Sequence, residues 1–211
     1  PQISTEVMLR RVFPNLVLTT LPFVPDPQYN NGPIELKQIP GDSSHWFAAE
    51  RGGRLLRFVN DDAVDTATIV LDLVDHFVPI DYFSEWGITS FAFHPDFAVN
   101  GQIYVVYNMK PGGTAPVESR LSRFTSLDGG VTFDPASEEV ILDFMQSLGK
   151  EYHPFSHVDF GPDGYLYVSV GDGGPQGSGG GHHAQDTNDL RGKLLRIDVS
   201  SPPGVSRVST T

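Results

Sequence analysis

The sequence predicts an all-β fold of the β-propeller class, and three observations carry that expectation. Short β-branched or aromatic runs alternate with Gly, Pro, Asp and Asn turns along the chain, without a sustained helical period. A strand, Pro-Asp turn, strand pattern recurs. Ser90-Phe91-Ala92-Phe93-His94-Pro95-Asp96 leads through Asn100-Gly101 into Gln102-Ile103-Tyr104-Val105-Val106-Tyr107, and His157-Val158-Asp159-Phe160-Gly161-Pro162-Asp163 leads through Gly164 into Tyr165-Leu166-Tyr167-Val168-Ser169-Val170. Two further strand candidates follow the first of these copies and one follows the second, so a full unit holds four short strands at a spacing of roughly 50–70 residues, the sequence sign of propeller blades.

The first unit is a fainter copy: Leu36 to Asp42, then His45-Trp46-Phe47-Ala48-Ala49, then strands at Arg54–Val59 and Thr68–Val74. The second unit continues with Arg120–Ser126 and Glu138–Phe144, and the third with Lys193–Val199. An ordinary sandwich accounts for the strands but not for a Pro-Asp hairpin returning at blade spacing. The expected organisation is an N-terminal segment over 1–33, with one extra, ring-closing strand near Val12–Leu21. Propeller blades follow over 34–199, the third blade incomplete at three strands, and then an irregular tail over 200–211. Propellers close with four to eight blades. About three blades leave unpaired faces and edges, so the rest of the ring is expected from a C-terminal part, a second chain or another copy.

Composition narrows the function. Of 211 residues, 39% are apolar and 11% aromatic, enough to bury a core. The 22 glycines and 17 prolines show no three-residue period, which fits many turns and excludes collagen. A net charge of -12 with no Lys/Arg cluster excludes nucleic-acid binding. With no cysteine there are no disulfides, thiol nucleophiles, thiolate zinc sites or CxxCH haem attachment. No apolar run approaches the ~18 residues of a membrane helix. The chain starts at Pro1 with no signal-peptide pattern, and is expected to be processed or trimmed.

Four blocks in order resemble the glucose/sorbosone dehydrogenase family. His153-Pro154-Phe155-Ser156-His157-Val158-Asp159-Phe160-Gly161-Pro162-Asp163-Gly164-Tyr165-Leu166-Tyr167 through Gly171-Asp172 is similar to the family's H-x-G-G-x-L-x-F-G-P-D-G-x-L-Y-x-x-x-G-D. Gly87 through Ala92-Phe93-His94-Pro95-Asp96-Phe97 is similar to its G-L-L-G-x-A-F-H-P-D-F, and Leu121-Ser122-Arg123-Phe124 to its L-S-R-F. Ala184-Gln185-Asp186 through Gly192-Lys193-Leu194-Leu195-Arg196-Ile197-Asp198 is similar to its A-Q-D and G-K-I-L-R-I-D. The resemblance spans about Leu36 to Val199. It implies the N-terminal half of a six-bladed propeller, with pyrroloquinoline quinone (PQQ) over the central channel, calcium often bound, and a periplasmic or extracellular location. The implied reaction is oxidation of a sugar or other alcohol by hydride transfer to the quinone.

That chemistry needs a base near neutral pH to take the hydroxyl proton as hydride leaves, and histidine suits the role. His153 stands at the family's base position and is the candidate catalytic residue. Glu85 matches a cofactor-contacting position, while Asp172 and Gln176 open the long 171–189 loop with oxygens suited to cofactor or Ca²⁺. Each also has a plain reading: His153 and Glu85 as solvated loop residues, Asp172 as a turn cap. Phe155-Ser156 replace the family's Gly-Gly, and the bulk of Phe155 is expected to crowd the approach of cofactor or substrate. That replacement keeps open a second reading, a non-catalytic extracellular propeller that binds a protein or glycan. His182-His183 reads as polar loop, His94 as a structural hydrogen-bonding residue, and Phe91, Phe93, Tyr104, Phe160 and Tyr167 as blade core.

Overall fold

A computed structural model describes residues 8–18, 32–77, 86–109, 117–145, 153–173, 183–200 and 208–210. Among them are three four-stranded antiparallel sheets, each a meander in chain order. Blade 1 consists of β1 (Pro33–Lys37), β2 (His45–Glu50), β3 (Arg54–Val59) and β4 (Thr68–Asp72). Blade 2 consists of β5 (Gly87–Phe93), β6 (Gln102–Met109), β7 (Glu118–Thr125) and β8 (Glu139–Met145). Blade 3 consists of β9 (Phe155–Phe160), β10 (Leu166–Val170), β11 (Lys193–Ile197) and β12 (Val208–Thr210). The first strands pack side by side, β5 between β1 and β9, as the inner strands of a propeller do. The all-β propeller expected from the sequence is the fold observed.

Strand periodicity explains the packing. Paired residues across a ladder share a face, so Ala49, Leu55 and Leu71 fall on one side of blade 1 and Leu36, Ala48 and Leu56 on the other. The first set meets Phe91, Phe93, Ile103, Val105 and Phe124 of blade 2 in one core. Phe47 and Phe93 stack edge to face there at 4.9 Å. The opposite face of blade 2, with Tyr104, Val106 and Leu121, meets Phe155, Val158, Leu166 and Val168 of blade 3 in a second core. Burying each such side chain contributes roughly 1.5–3 kcal/mol, so the interfaces between blades hold the fold.

The recurring Pro-Asp turn closes the inner hairpins. In blade 2 the His94 ring accepts a hydrogen bond from the Asp96 backbone N–H at 3.0 Å, and the His94 backbone N–H donates to the Gln102 carbonyl. In blade 3 Asp163 accepts from the Tyr165 N–H, the Tyr167 hydroxyl and Arg196.

Two parts of the expected organisation change. Blade 3 has four strands, because Val208–Thr210 in the tail pairs with β11 and satisfies its outer edge. Residues 12–18 of the expected extra strand form no ladder, and 19–21 lie outside the described residues. Instead Phe13, Leu16 and Leu18 pack on Ala48, Leu56 and Phe58, covering part of the face of blade 1 turned away from blade 2. Ile34 and Leu36 on the inner part of that face stay 42% exposed, the face where another blade would pack in a closed ring.

Candidate functional site

The starts of the three inner strands converge. Around them lies a cavity of about 500 Å³ lined by residues including Arg51, Ile88, Thr89, His153, Ser156 and Gly171. Two glycines permit the convergence. Gly87 has φ +93, and a Cβ there would lie 1.8 Å from the Arg51 carbonyl oxygen, which instead accepts the Ile88 N–H at 3.0 Å. A Cβ on Gly171 would lie 2.1 Å from the His153 carbonyl oxygen. Blade 2 thus closes on the β2–β3 turn, and the end of β10 closes on the start of β9.

His153 sits where β9 begins, in a left-handed conformation with φ +53, a strained state for a residue with a Cβ. Its surroundings over-determine it. The Gly171 N–H donates to Pro154 and the Gly173 N–H to the His153 carbonyl. Its ring Nδ1 lies 2.6 Å from the Asp172 carboxylate. An ionised carboxylate only accepts, so Nδ1 carries the proton and Nε2 is the basic nitrogen. His153 is about a third exposed, 32% by side chain, so it is open to solvent and solutes.

Arg51 lines the same cavity, its Nε donating to the Trp86 carbonyl at 3.0 Å. Thr89 donates to the Phe155 carbonyl at 3.2 Å, and Asn108 donates to the same oxygen at 3.1 Å, which pins the first residue of β9 to blade 2. Further along the inner strands, Glu35 accepts from the Ser90 hydroxyl and the Phe91 N–H, both at 2.8 Å. Lys37 lies 3.2 Å from Glu35 and 3.4 Å from Asp159, and His157 lies 3.1 Å from the Ser90 hydroxyl.

Of the site residues read from the sequence, the fold brings His153 and Asp172 together. Glu85 and Gln176 lie outside the described residues. The Asp172 carboxylate, a cofactor or calcium contact in the sequence expectation, lies against the His153 ring. Among the described residues no group of three or more His, Cys, Asp or Glu gathers as a metal site. Phe155, expected from the sequence to crowd the approach, is among the residues lining the cavity, but its side chain is fully buried. A register shift between Ser169 and Val170 puts Phe155 opposite Val170 and turns its ring into the blade interface, fully buried against Phe144 at 4.8 Å. His183 bonds Asp189, which Arg191 and His183 hold well below the usual carboxylate range, while Lys193 donates to the His183 and Ala184 carbonyls. That block closes the long loop onto β11. Arg51 and the Glu35 cluster escaped the sequence reading, since only the three-blade geometry assembles them.

The model of the family described as Glucose / Sorbosone dehydrogenase matches residues 30–204. The chain is 29% identical over 215 residues to the HIPL1 protein of Arabidopsis thaliana, covering 82% of this chain and 30% of that protein. It is 31% identical over 122 residues to the Hedgehog-interacting protein of Mus musculus, covering 56% of this chain and 17% of that one. Among solved structures it is similar to the PQQ-bound form of the aldose sugar dehydrogenase of Streptomyces coelicolor. There the TM-score is 0.57 and the identity 20%, over 83% of this chain and 51% of that one. The chain spans less than a third of these curated relatives and about half of that structure. No described helix is long and apolar enough to cross a membrane.

Proposed function

Because the chain belongs to the glucose/sorbosone dehydrogenase family, we propose that it forms the half of a six-bladed sugar dehydrogenase that carries the catalytic base. The pairing of His153 Nδ1 with Asp172 at the mouth of the inner cavity is the observation that carries this reading. The substrate is a sugar or another small alcohol, the cofactor PQQ, and the place of action the periplasm or the cell exterior. The remaining blades come from further sequence or a second chain.

The cavity suits such a cofactor. Its volume of about 500 Å³ lies within the usual range of ligand pockets. Ile34 and Ile88 offer apolar walls to a planar ring system, and the Arg51 guanidinium offers charge-assisted hydrogen bonds to anionic carboxylates. When bound, PQQ supplies the hydride acceptor. The protein's part is proton management. Asp172 fixes the tautomer of His153, and Nε2 takes the hydroxyl proton from the carbon being oxidised. Calcium belongs to this reading as a companion of the cofactor, with Gln176 as a candidate contact, while Glu85 is a candidate contact of the quinone.

The test is dye-linked oxidation of D-glucose and a panel of aldoses by the complete protein supplied with PQQ and calcium. His153→Asn suits the control, because Asn tolerates a left-handed backbone. Sugar-dependent turnover that His153→Asn abolishes, with the fold intact by circular dichroism, supports the reading; turnover that survives the substitution overturns it. The likeness to Hedgehog-interacting protein favours a second reading, a propeller that binds a protein or glycan with its cofactor site no longer used. That reading predicts neither PQQ binding nor turnover.

A further inference from the structure

At the opposite end of blade 1 from His153 lies a second cavity of about 240 Å³, formed between blades 1 and 2. Strand β2 separates the two, with Arg51 following its last residue and His45 opening it, about 20 Å apart at the usual rise of a strand. Its lining includes His45, Arg57, Thr68, Val64, Val70 and Val131. The sequence carries 26 carboxylates and a net charge of -12. Even so, none of the ion pairs among the described residues involves Arg57. The nearest influence is Asp42, which accepts the Ser44 N–H and feels Arg57 only weakly.

Arg57 is held in place rather than waving in solvent. It lies on β3 directly opposite Phe47 of β2, its guanidinium lies 6.0 Å over the Phe47 ring, and one of its terminal nitrogens lies 3.3 Å from His45 Nδ1. Its Nε is buried without a hydrogen-bond partner. The Ser44 hydroxyl, at 2.8 Å, also faces His45 Nδ1. A guanidinium only donates, so Nδ1 accepts from Arg57 and the ring proton sits on Nε2, and burial together with Arg57 lowers the pKa of the ring. His45 thus meets Arg57 as a neutral acceptor, and no carboxylate among the described residues lies within ion-pair distance of the guanidinium. A half-buried guanidinium with donors to fill, beside a hydroxyl and three valines, matches a ligand with an anionic head and an apolar tail.

We propose that this cavity is a binding site for a short aliphatic carboxylate, with Arg57 holding the carboxylate and Val64, Val70 and Val131 the tail. The volume admits roughly eight water-sized groups, the size of a carboxylate of about five or six carbons. Both walls belong to blades 1 and 2, so the site depends neither on the rest of the ring nor on the dehydrogenase reading. An apolar wall sets the carboxylate apart from inorganic phosphate, which brings the charge without a tail.

The experiment is calorimetric titration of the complete protein with sodium pentanoate, and with sodium phosphate and pentan-1-ol, at matched ionic strength. Saturable 1:1 pentanoate binding in the millimolar range or tighter is expected, with phosphate and pentan-1-ol at least ~10-fold weaker. Arg57→Met keeps the aliphatic stem on Phe47 and removes the charge; it is expected to weaken pentanoate at least ~10-fold. Val131 is 45% exposed, so Val131→Glu leaves the core intact and sets a competing carboxylate at the rim, with a similar loss expected. No saturation by about 20 mM pentanoate overturns the proposal, as does phosphate binding equally well, or either folded variant binding like the parent protein.

Discussion

Replacing Glu35 with Ala removes the side chain that ties the three inner strands together. Glu35 is 13% exposed, and its carboxylate accepts two hydrogen bonds at 2.8 Å from β5, one from the Ser90 hydroxyl and one from the Phe91 N–H. The Phe91 amide loses this acceptor inside a fully buried residue, a cost of about 1–3 kcal/mol. Losing the charge-assisted bond from Ser90 adds about 1 kcal/mol, partly offset because the hydroxyl still reaches the Val158 carbonyl at 3.3 Å. Lys37 is not stranded, since it retains Asp159 and the Val158 carbonyl. The expected loss is therefore about 3 kcal/mol, which for a domain of this size lowers Tm by roughly 6–12 °C. Urea denaturation of the parent, Glu35→Ala, Ser90→Ala and double-variant proteins measures it, and the cycle is expected to give a coupling of about 1 kcal/mol or more. A Glu35→Ala loss under about 0.5 kcal/mol, or additive single changes, refutes the claim that this carboxylate joins the blades.

Three other substitutions probe the site from different sides. Asp172→Asn leaves PQQ affinity unchanged but no longer fixes the His153 tautomer, so kcat for sugar oxidation falls by ~10² or more, read under saturating cofactor. Gly171→Ala drives a methyl group against the His153 carbonyl at 2.1 Å; a loss of about 2–4 kcal/mol in denaturant and a matching loss of activity are expected. Phe155→Gly, which restores the residue of the family motif, is expected to destabilise by about 3–5 kcal/mol, because the ring is a fully buried part of the blade interface. Improved PQQ binding in a stable Phe155→Gly protein contradicts that placement.

What was legible in the sequence was what local chemistry fixes. The Pro-Asp turns at 94–97 and 161–164 carry their own bonding groups, His94 in one and Asp163 in the other, so a repeat of short strands was readable. His153 stands out as a candidate because its motif surrounds it. The rest depends on geometry that residues far apart create together. Glu35 meets Ser90 and His157 across three strands, and Arg51 joins the cavity only because blade 2 closes on its turn. The misread orientation of Phe155 has a local cause with a non-local effect: one register shift in the β9–β10 ladder flips the face on which its ring lies. Strand β12 was missed because three residues of tail show no period of their own and acquire strand form only by pairing with β11.

The most direct test of the account is titration of the complete, calcium-loaded protein with PQQ, followed by absorbance and calorimetry, alongside His153→Asn and Arg51→Gln. Stoichiometric binding by the parent, weakened at least ~10-fold in Arg51→Gln and leaving His153→Asn loaded but inactive, is the predicted result. Absence of binding at tens of micromolar PQQ contradicts it and turns the search toward a protein or glycan partner.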